Sequence, residues 1–241
     1  MRVIRACVDV PLAVGARLAL PEDAAAHLVR VLRLGPGDGC VLFNGDGRDY
    51  AARIVSANRK SVEAEIGSAR EVRNESPLRI VLVQGIARGE KMDWVLQKAT
   101  ELGVAAIVPV HAARGEVRLD GERADKRLRH WRSVVVSACE QSGRARIPGV
   151  AAPRALADAL TDLPATRLLL DPEATQPLPC AIDADGCALA IGPEGGWSAT
   201  DIGTLQAAGF IGARLGPRVL RTETAGLAAI AALQARAGDF A

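Results

Sequence analysis

Ala188-Leu-Ala-Ile191-Gly-Pro-Glu-Gly-Gly-Trp-Ser198 reads as a buried strand that breaks on a glycine-rich turn and enters a helix. Four consecutive apolar residues suit a strand buried on both faces. Gly192 and Pro193 end it, and Ser198 with Asp201 three residues later predicts a helix start closed by a capping box. The same order recurs downstream. Ile211–Leu215 predicts the last strand, Gly216-Pro-Arg218-Val-Leu-Arg221 a second turn, and Thr222–Ala237 the last helix. Strands alternating with helices imply a largely parallel α/β sheet. In open sheets of that kind, ligands bind beyond the carboxyl ends of the strands. Glycines there let bare backbone groups approach a ligand, and such groups can read an adenine edge. The competing reading is two ordinary connections in which Gly and Pro only shape the turn.

Upstream the pattern persists to about residue 78. Leu78–Val83 and Val104–Val110 predict strands, and Arg167–Asp171 another. Gly89–Gly103 predicts a helix with Met92, Val95, Ala99 and Leu102 on one face, closed by Gly103. A longer helix over Glu122–Ser142 carries Leu128, Trp131, Val135 and Ala138. The last helix is apolar on nearly every side from Ala225 to Ala235, so it is read as partly core and partly a homodimer interface. Before the polar linker Glu71–Pro77 the texture differs. Arg2–Val10, Cys40–Phe43, Tyr50–Val55 and Val62–Ile66 predict short strands, with a hairpin turn at Asn44-Gly-Asp-Gly47. One helix runs from Pro21 to Leu34 and stops at Gly35-Pro-Gly37. This unit predicts a small β-barrel.

The chain has 241 residues, 49% hydrophobic and 24% charged, which excludes disorder and low complexity. Its net charge of +2 conceals an uneven distribution. Residues 1–73 carry 11 basic and 9 acidic side chains, residues 74–160 carry 14 and 10, and residues 161–241 carry 5 and 9. The basic surplus is mostly Arg, whose planar fork suits phosphate, so a polyanionic partner fits the first two thirds. Five cysteines without a C-x-x-C pair, and histidines scattered at 27, 111 and 130, predict no metal site and a reducing compartment. The N-terminus lacks a signal-peptide core and no apolar run approaches a membrane span, so a cytoplasmic location and no membrane partner are expected. Neither G-x-G-x-x-G, the Walker spacing, nor G-x-S-x-G occurs, which sets aside classical dehydrogenases, P-loop NTPases and α/β-hydrolases.

The two turns, taken as 191–198 and 215–225, closely resemble the ribosomal RNA small subunit methyltransferase E family. Lys91–Val104, Glu140–Arg144 and His27–Arg33 resemble further segments of that family, so the likeness covers essentially the whole chain. Asp201 departs from it, where the family more often has Glu; the difference touches a helix cap. The resemblance implies a PUA-like RNA-binding β-barrel over 1–72 and a SPOUT methyltransferase domain with a C-terminal trefoil knot over 73–241. It implies a homodimer that uses S-adenosylmethionine to methylate N3 of one uridine in 16S rRNA of the assembled small subunit. Carried over by position, the cofactor site is Leu170, Gly192, Pro193, Glu194, Gly195, Gly196, Leu215, Gly216, Val219, Leu220 and Arg221.

Uridine N3 must lose a proton before it is a nucleophile, so the reaction needs placement and stabilisation of the developing anion. Arg221 is the candidate for the charge and Glu223 for the proton; the alternative is an Arg–Glu pair that fixes the loop. The expected RNA contacts are Arg5, His27, Arg30 and Arg33 in the first unit, and Arg88, Lys91, Lys98, Arg144 and Arg146 beyond it. Two other functions stay open at this point: a non-catalytic RNA-binding assembly factor, and a ribose 2′-O methyltransferase on the same fold.

Overall fold

In the computed structural model, residues 3–58 and 61–240 are described, so Arg2 of the first expected strand lies outside them. The chain divides into two compact units, one of Met1–Glu75 with Cys139–Ile147 and one of Ser76–Ala138 with Pro148–Ala241.

The first unit is a five-stranded sheet in the order β1-β3-β4-β5-β2. Its strands are β1 (Arg5–Cys7), β2 (Arg17–Ala19), β3 (Gly39–Phe43), β4 (Arg48–Ala57) and β5 (Val62–Glu71). β1 and β3 run parallel, and the other pairs antiparallel. The β3–β4 hairpin turns where Asn44-Gly-Asp-Gly47 sits, with Gly45 and Gly47 at φ 91 and 92. There the Asp46 N–H donates to Asn44 Oδ1. Leu28, Leu42, Ile54 and Ile66 fill the core.

The helix expected over Pro21–Leu34 is shorter and of mixed pitch. α1 (Glu22–Ala25) widens into a π-helical turn over Ala26–Val31, where the Leu32 N–H reaches back to the His27 carbonyl. Arg33 then takes φ 60, a left-handed conformation that ends the element before Leu34. The π turn seats Leu28 in the core while leaving Arg30 and Arg33 exposed.

Arg5 is buried in this unit: its guanidinium pairs with Asp49, donates to the Arg144 carbonyl at 2.9 Å and lies 4.7 Å from the Phe43 ring centroid. Arg144 is also buried and forks onto Glu75. Both were expected to contact RNA; both are instead internal cations, because each sits beside a carboxylate from a distant part of the chain. Asp49 also accepts from Arg70 at 3.1 Å. Replacing Asp49 by Ala strands the Arg5 charge, and urea denaturation is expected to show a loss of roughly 3–5 kcal/mol; a loss below about 1 kcal/mol is inconsistent with this pairing.

The second unit is a parallel sheet in the order β12-β10-β11-β6-β7-β8, with the short β9 also on β7. The strands are β6 (Ile80–Gly85), β7 (Ala106–His111), β8 (Gly149–Val150), β9 (Arg154–Ala155), β10 (Thr166–Leu170), β11 (Cys187–Ile191) and β12 (Ile211–Ala213). The helices are α2 (Glu90–Glu101), α3 (Gly121–Ser142, whose residues from Cys139 on belong to the first unit), α4 (Ala199–Ala207) and α5 (Thr222–Ala237). β6 and β11 are buried along their whole lengths, as their apolar runs require. From β6 the chain builds outward through β7, then returns to the other side of β6 as β10, β11 and β12. That reversal between β6 and β11 is the place where an open parallel sheet leaves a crevice at its carboxyl edge. Gly186 enters β11 at φ 88, and a Cβ there lies 2.0 Å from the Arg79 carbonyl oxygen.

Candidate active site

A cavity of about 800 Å³ opens at the carboxyl ends of β10, β11 and β12, within the size range of small-molecule sites. Leu170 ends β10, Gly192–Gly196 follow β11, and Leu215, Gly216 and Val219–Arg221 follow β12; all of them line it. The structure thus brings together the residues of both glycine-rich turns. It adds residues that the sequence reading assigned elsewhere or passed over: Lys91, Arg114, Asp171, Glu173, Trp197, Arg214 and Arg218.

Bare backbone forms the wall because no side chain fits there. A Cβ on Gly192 lies 3.1 Å from the Gly196 carbonyl carbon, and one on Gly195 lies 2.9 Å from the Arg114 carbonyl oxygen. Gly85 at the end of β6 abuts Pro193, with a Cβ 2.6 Å from the proline Cδ. Gly196 takes φ 67 and lets the turn enter α4. At that entry Ser198 Oγ accepts from the Asp201 N–H at 3.0 Å while Asp201 accepts from the Ser198 N–H, closing the expected capping box. Asp201 also accepts from the Ala113 N–H, so Asp in place of Glu still anchors the 112–120 loop.

One buried hydrogen-bond chain joins three segments. Gln84 on β6 is fully buried and donates through Nε2 to Thr222 Oγ1 at 3.1 Å. With that lone pair occupied, the Thr222 hydroxyl donates its own proton to the Gly192 carbonyl. β6, the turn after β11 and the first residue of α5 are thereby fixed to one another.

Electrostatics organise the rim. Glu194 lies 3.2 Å from Lys91 Nζ and accepts from the Arg88 N–H at 3.1 Å. Burial alone would push its carboxyl up; the backbone N–H bonds and the Lys91 ammonium outweigh that and hold it below the usual carboxylate value. Arg88 pairs with Glu116, and Lys98 with Glu101 at 2.9 Å, so these expected RNA contacts are half-neutralised at the surface. His27 is half-buried, whereas Arg30, Arg33 and Arg146 are exposed. Arg221 is exposed at the cavity, and no ion pair joins it to Glu223 among the described residues. Glu223 is half-buried, lies outside the cavity wall, and keeps Oε2 shielded without a partner among the described residues. Trp197 Nε1, on a residue that lines the cavity, is likewise shielded without a partner among the described residues. Burial pushes the thiols of Cys7 and Cys40 up to about 11 and those of Cys139 and Cys187 up to about 12, so none of the four is a nucleophile here.

An RNA methyltransferase domain model matches residues 74–234, and an RNA methyltransferase PUA domain model matches residues 20–67. The chain is 36% identical to the ribosomal RNA small subunit methyltransferase E of Mycobacterium bovis, covering 91% of this chain and 86% of that one. With the protein of that name from Buchnera aphidicola (Schizaphis graminum) it shares 33% identity over 99% of this chain and 98% of the other. The crystal structure of the Neisseria gonorrhoeae protein of that name, bound to S-adenosyl methionine, superposes with a TM-score of 0.92 at 40% identity, covering 100% of both chains. The second unit accordingly has a methyltransferase α/β fold, and a PUA-like domain precedes it.

Thr222→Val is expected to remove the hydroxyl bond to the Gly192 carbonyl and one of the two bonds of the Gln84 amide, which keeps its bond to the Gly85 carbonyl, and to lower stability by about 1–3 kcal/mol in chemical denaturation. Thr222→Ser, which keeps the hydroxyl, is expected to restore most of it; equal losses in both variants contradict the hydrogen-bond account.

Proposed function

The chain belongs to the ribosomal RNA small subunit methyltransferase E family, and on that premise we propose that it uses S-adenosylmethionine to methylate N3 of one uridine of 16S rRNA in the assembled small subunit. The observation that carries the proposal is the single cavity into which both glycine-rich turns open. Its glycine wall exposes backbone donors and acceptors suited to an adenine edge and a ribose. Ile191, Leu215 and Leu220 supply apolar walls, and the Trp197 Nε1–H is a buried donor in want of an acceptor. These features fit S-adenosylmethionine, held by Leu170, Gly192–Gly196, Leu215–Gly216 and Val219–Arg221. When bound, that molecule supplies a methyl carbon activated by an adjacent sulfonium.

The chain's own residues answer the needs of the acceptor. As N3 loses its proton, negative charge spreads onto the flanking O2 and O4 carbonyls of the uracil. The Arg221 guanidinium, free of a carboxylate partner among the described residues, is available to stabilise that charge. Glu223, which follows Arg221 by two residues, is the candidate proton acceptor, although its carboxylate lies outside the cavity wall. Glu194 is a weaker base than an ordinary carboxylate, because backbone N–H bonds and the Lys91 ammonium stabilise its charged form.

The finer architecture belongs to the same proposal. The RNA-binding PUA-like barrel is the unit of Met1–Glu75, which Cys139–Ile147 joins, rather than residues 1–72 alone, and Ser76–Ala138 with Pro148–Ala241 is the SPOUT domain. The segments meeting across Gly192 and Thr222 are those that a trefoil knot would interlace. A homodimer is supported by α5, whose Leu227, Ala228, Ala231 and Ala232 are only half-covered, and by Trp94 on the neighbouring α2, which is 60% exposed. The RNA contacts retained are His27, Arg30, Arg33 and Arg146, with Arg88, Lys91 and Lys98 in secondary roles. No helix is long and apolar enough to cross a membrane among the described residues, and a cytoplasmic location follows from the ribosomal substrate.

Calorimetry is expected to show S-adenosylmethionine binding in the micromolar range. Mass mapping of rRNA from a deletion strain is expected to show loss of one base-methylated uridine; loss of a ribose methyl instead contradicts the assignment. Arg221→Ala is expected to lower kcat by about 10²–10³, as for one lost charge-stabilising donor. Glu194 has a lowered folded-state pKa, so its tie to Lys91 is intact at neutral pH and is lost as pH falls through that pKa. Cofactor affinity is therefore expected to stay flat from neutral pH down through the ordinary carboxylate range and to fall only below it; a midpoint near neutrality contradicts this role.

A further inference from the structure

α3 exposes Arg123, Lys126 and Arg129 on the side opposite its buried stripe of Leu128, Trp131, Val135 and Ala138. Steps of three residues set the three cations along one ridge, about 9 Å from first to last at 1.5 Å per residue. Arg127, half-buried, lies one turn from Arg123. Like charges at these spacings weaken a helix. Glu122 and Asp125 border the same shallow depression, one turn before Lys126 and Arg129, yet no ion pair joins them to these cations among the described residues. Three exposed cations thus share this face with two exposed carboxylates to which they are not paired, which leaves the ridge net positive.

The chain leads from it directly to the cavity. The loop before α3 carries exposed Arg118 and then Arg114, which lines the cavity. Close packing of Gly195 on the Arg114 backbone, the Asp201 bond to the Ala113 N–H and the Arg88–Glu116 pair hold this loop in place. Along the chain from the cavity-lining Arg114 the exposed cations are Arg118, Arg123, Lys126 and Arg129. His130 and Arg132 stand apart, the first paired with Asp93 and the second donating to the Val150 carbonyl.

We propose that the Arg123–Lys126–Arg129 ridge of α3 binds the phosphodiester backbone of the rRNA strand that delivers the target uridine, with Arg114 and Arg118 leading the strand to the cavity. This rests on the methyltransferase reading and adds to it an RNA-docking surface outside the cavity. Charge, rather than base readout, is the recognition chemistry, so the surface positions the strand and leaves base choice to the cavity.

The test compares wild type with a triple variant, Arg123→Gln, Lys126→Gln and Arg129→Gln, in binding to purified small ribosomal subunits from a deletion strain over a range of KCl. The expected result is at least tenfold weaker binding at about 0.1 M salt. The slope of log affinity against log salt should fall by about 2, at about 0.7–0.9 per lost phosphate contact. S-adenosylmethionine affinity by calorimetry should be unchanged, which also verifies that the variant is folded. A second variant, Arg123→Lys with Arg129→Lys, keeps the charges and is expected to bind as wild type. Unchanged affinity and slope in the triple variant overturn the proposal. Weaker binding with an unchanged slope also overturns it, because that pattern indicates a ribosomal protein as the partner. Failure of the wild type to bind S-adenosylmethionine would sink the parent reading, while the salt comparison would still decide this one.

Discussion

The hydroxyl of Thr222 bonded to the carbonyl of Gly192, with the Gln84 amide behind it, is the contact on which the site depends. Parallel strands deliver their carboxyl ends to one edge, but nothing in a sheet ladder orients the turns that leave it. Here one buried chain of two hydrogen bonds ties the turn after β11 to the start of α5, and both to β6. Each partner is buried or close to it, so leaving any one unpaired carries a desolvation cost. The contact of Gly85 with Pro193 serves the same end by sterics, since it holds the turn against the strand with no side chain between them.

Function is divided between backbone and charge. The cavity wall is glycine backbone and aliphatic side chains, suited to a cofactor read mainly through main-chain groups. The rim is cationic, with Lys91, Arg114, Arg214, Arg218 and Arg221, although the last third of the chain carries more acidic than basic residues. Sequence-averaged charge is therefore an incomplete guide to the local field: Asp171, Glu173 and Glu194 also line the cavity, but they face five cations, and Glu194 is tied to Lys91. The mouth favours an anionic substrate, and the ridge on α3 extends the same sign of charge outward.

Much of the second unit was legible in the sequence because its signals are local. The Ser198–Asp201 cap, the apolar runs of β6 and β11 and the span Thr222–Ala237 all appear where residue chemistry places them. β2, β8 and β9 were not legible, since two or three residues carry no periodicity. Arg5 and Arg144 read as surface cations because their partners, Asp49 and Glu75, are 44 and 69 residues away; only tertiary structure makes them internal. The same holds for Arg114, in an irregular loop whose approach to the cavity depends on Gly195 and Asp201. The break at Arg33 was hidden for another reason: a π-helical turn shifts the spacing from which the helix end was read.

The most direct measurement of the central claim is a crystal structure of this protein with S-adenosylhomocysteine, the demethylated product of the cofactor. The account predicts its adenine against the backbone of 192–196 and 215–221, with the Gln84–Thr222–Gly192 chain intact. Ligand density at any other place on the molecule, or those two turns parted with the chain broken, would contradict it.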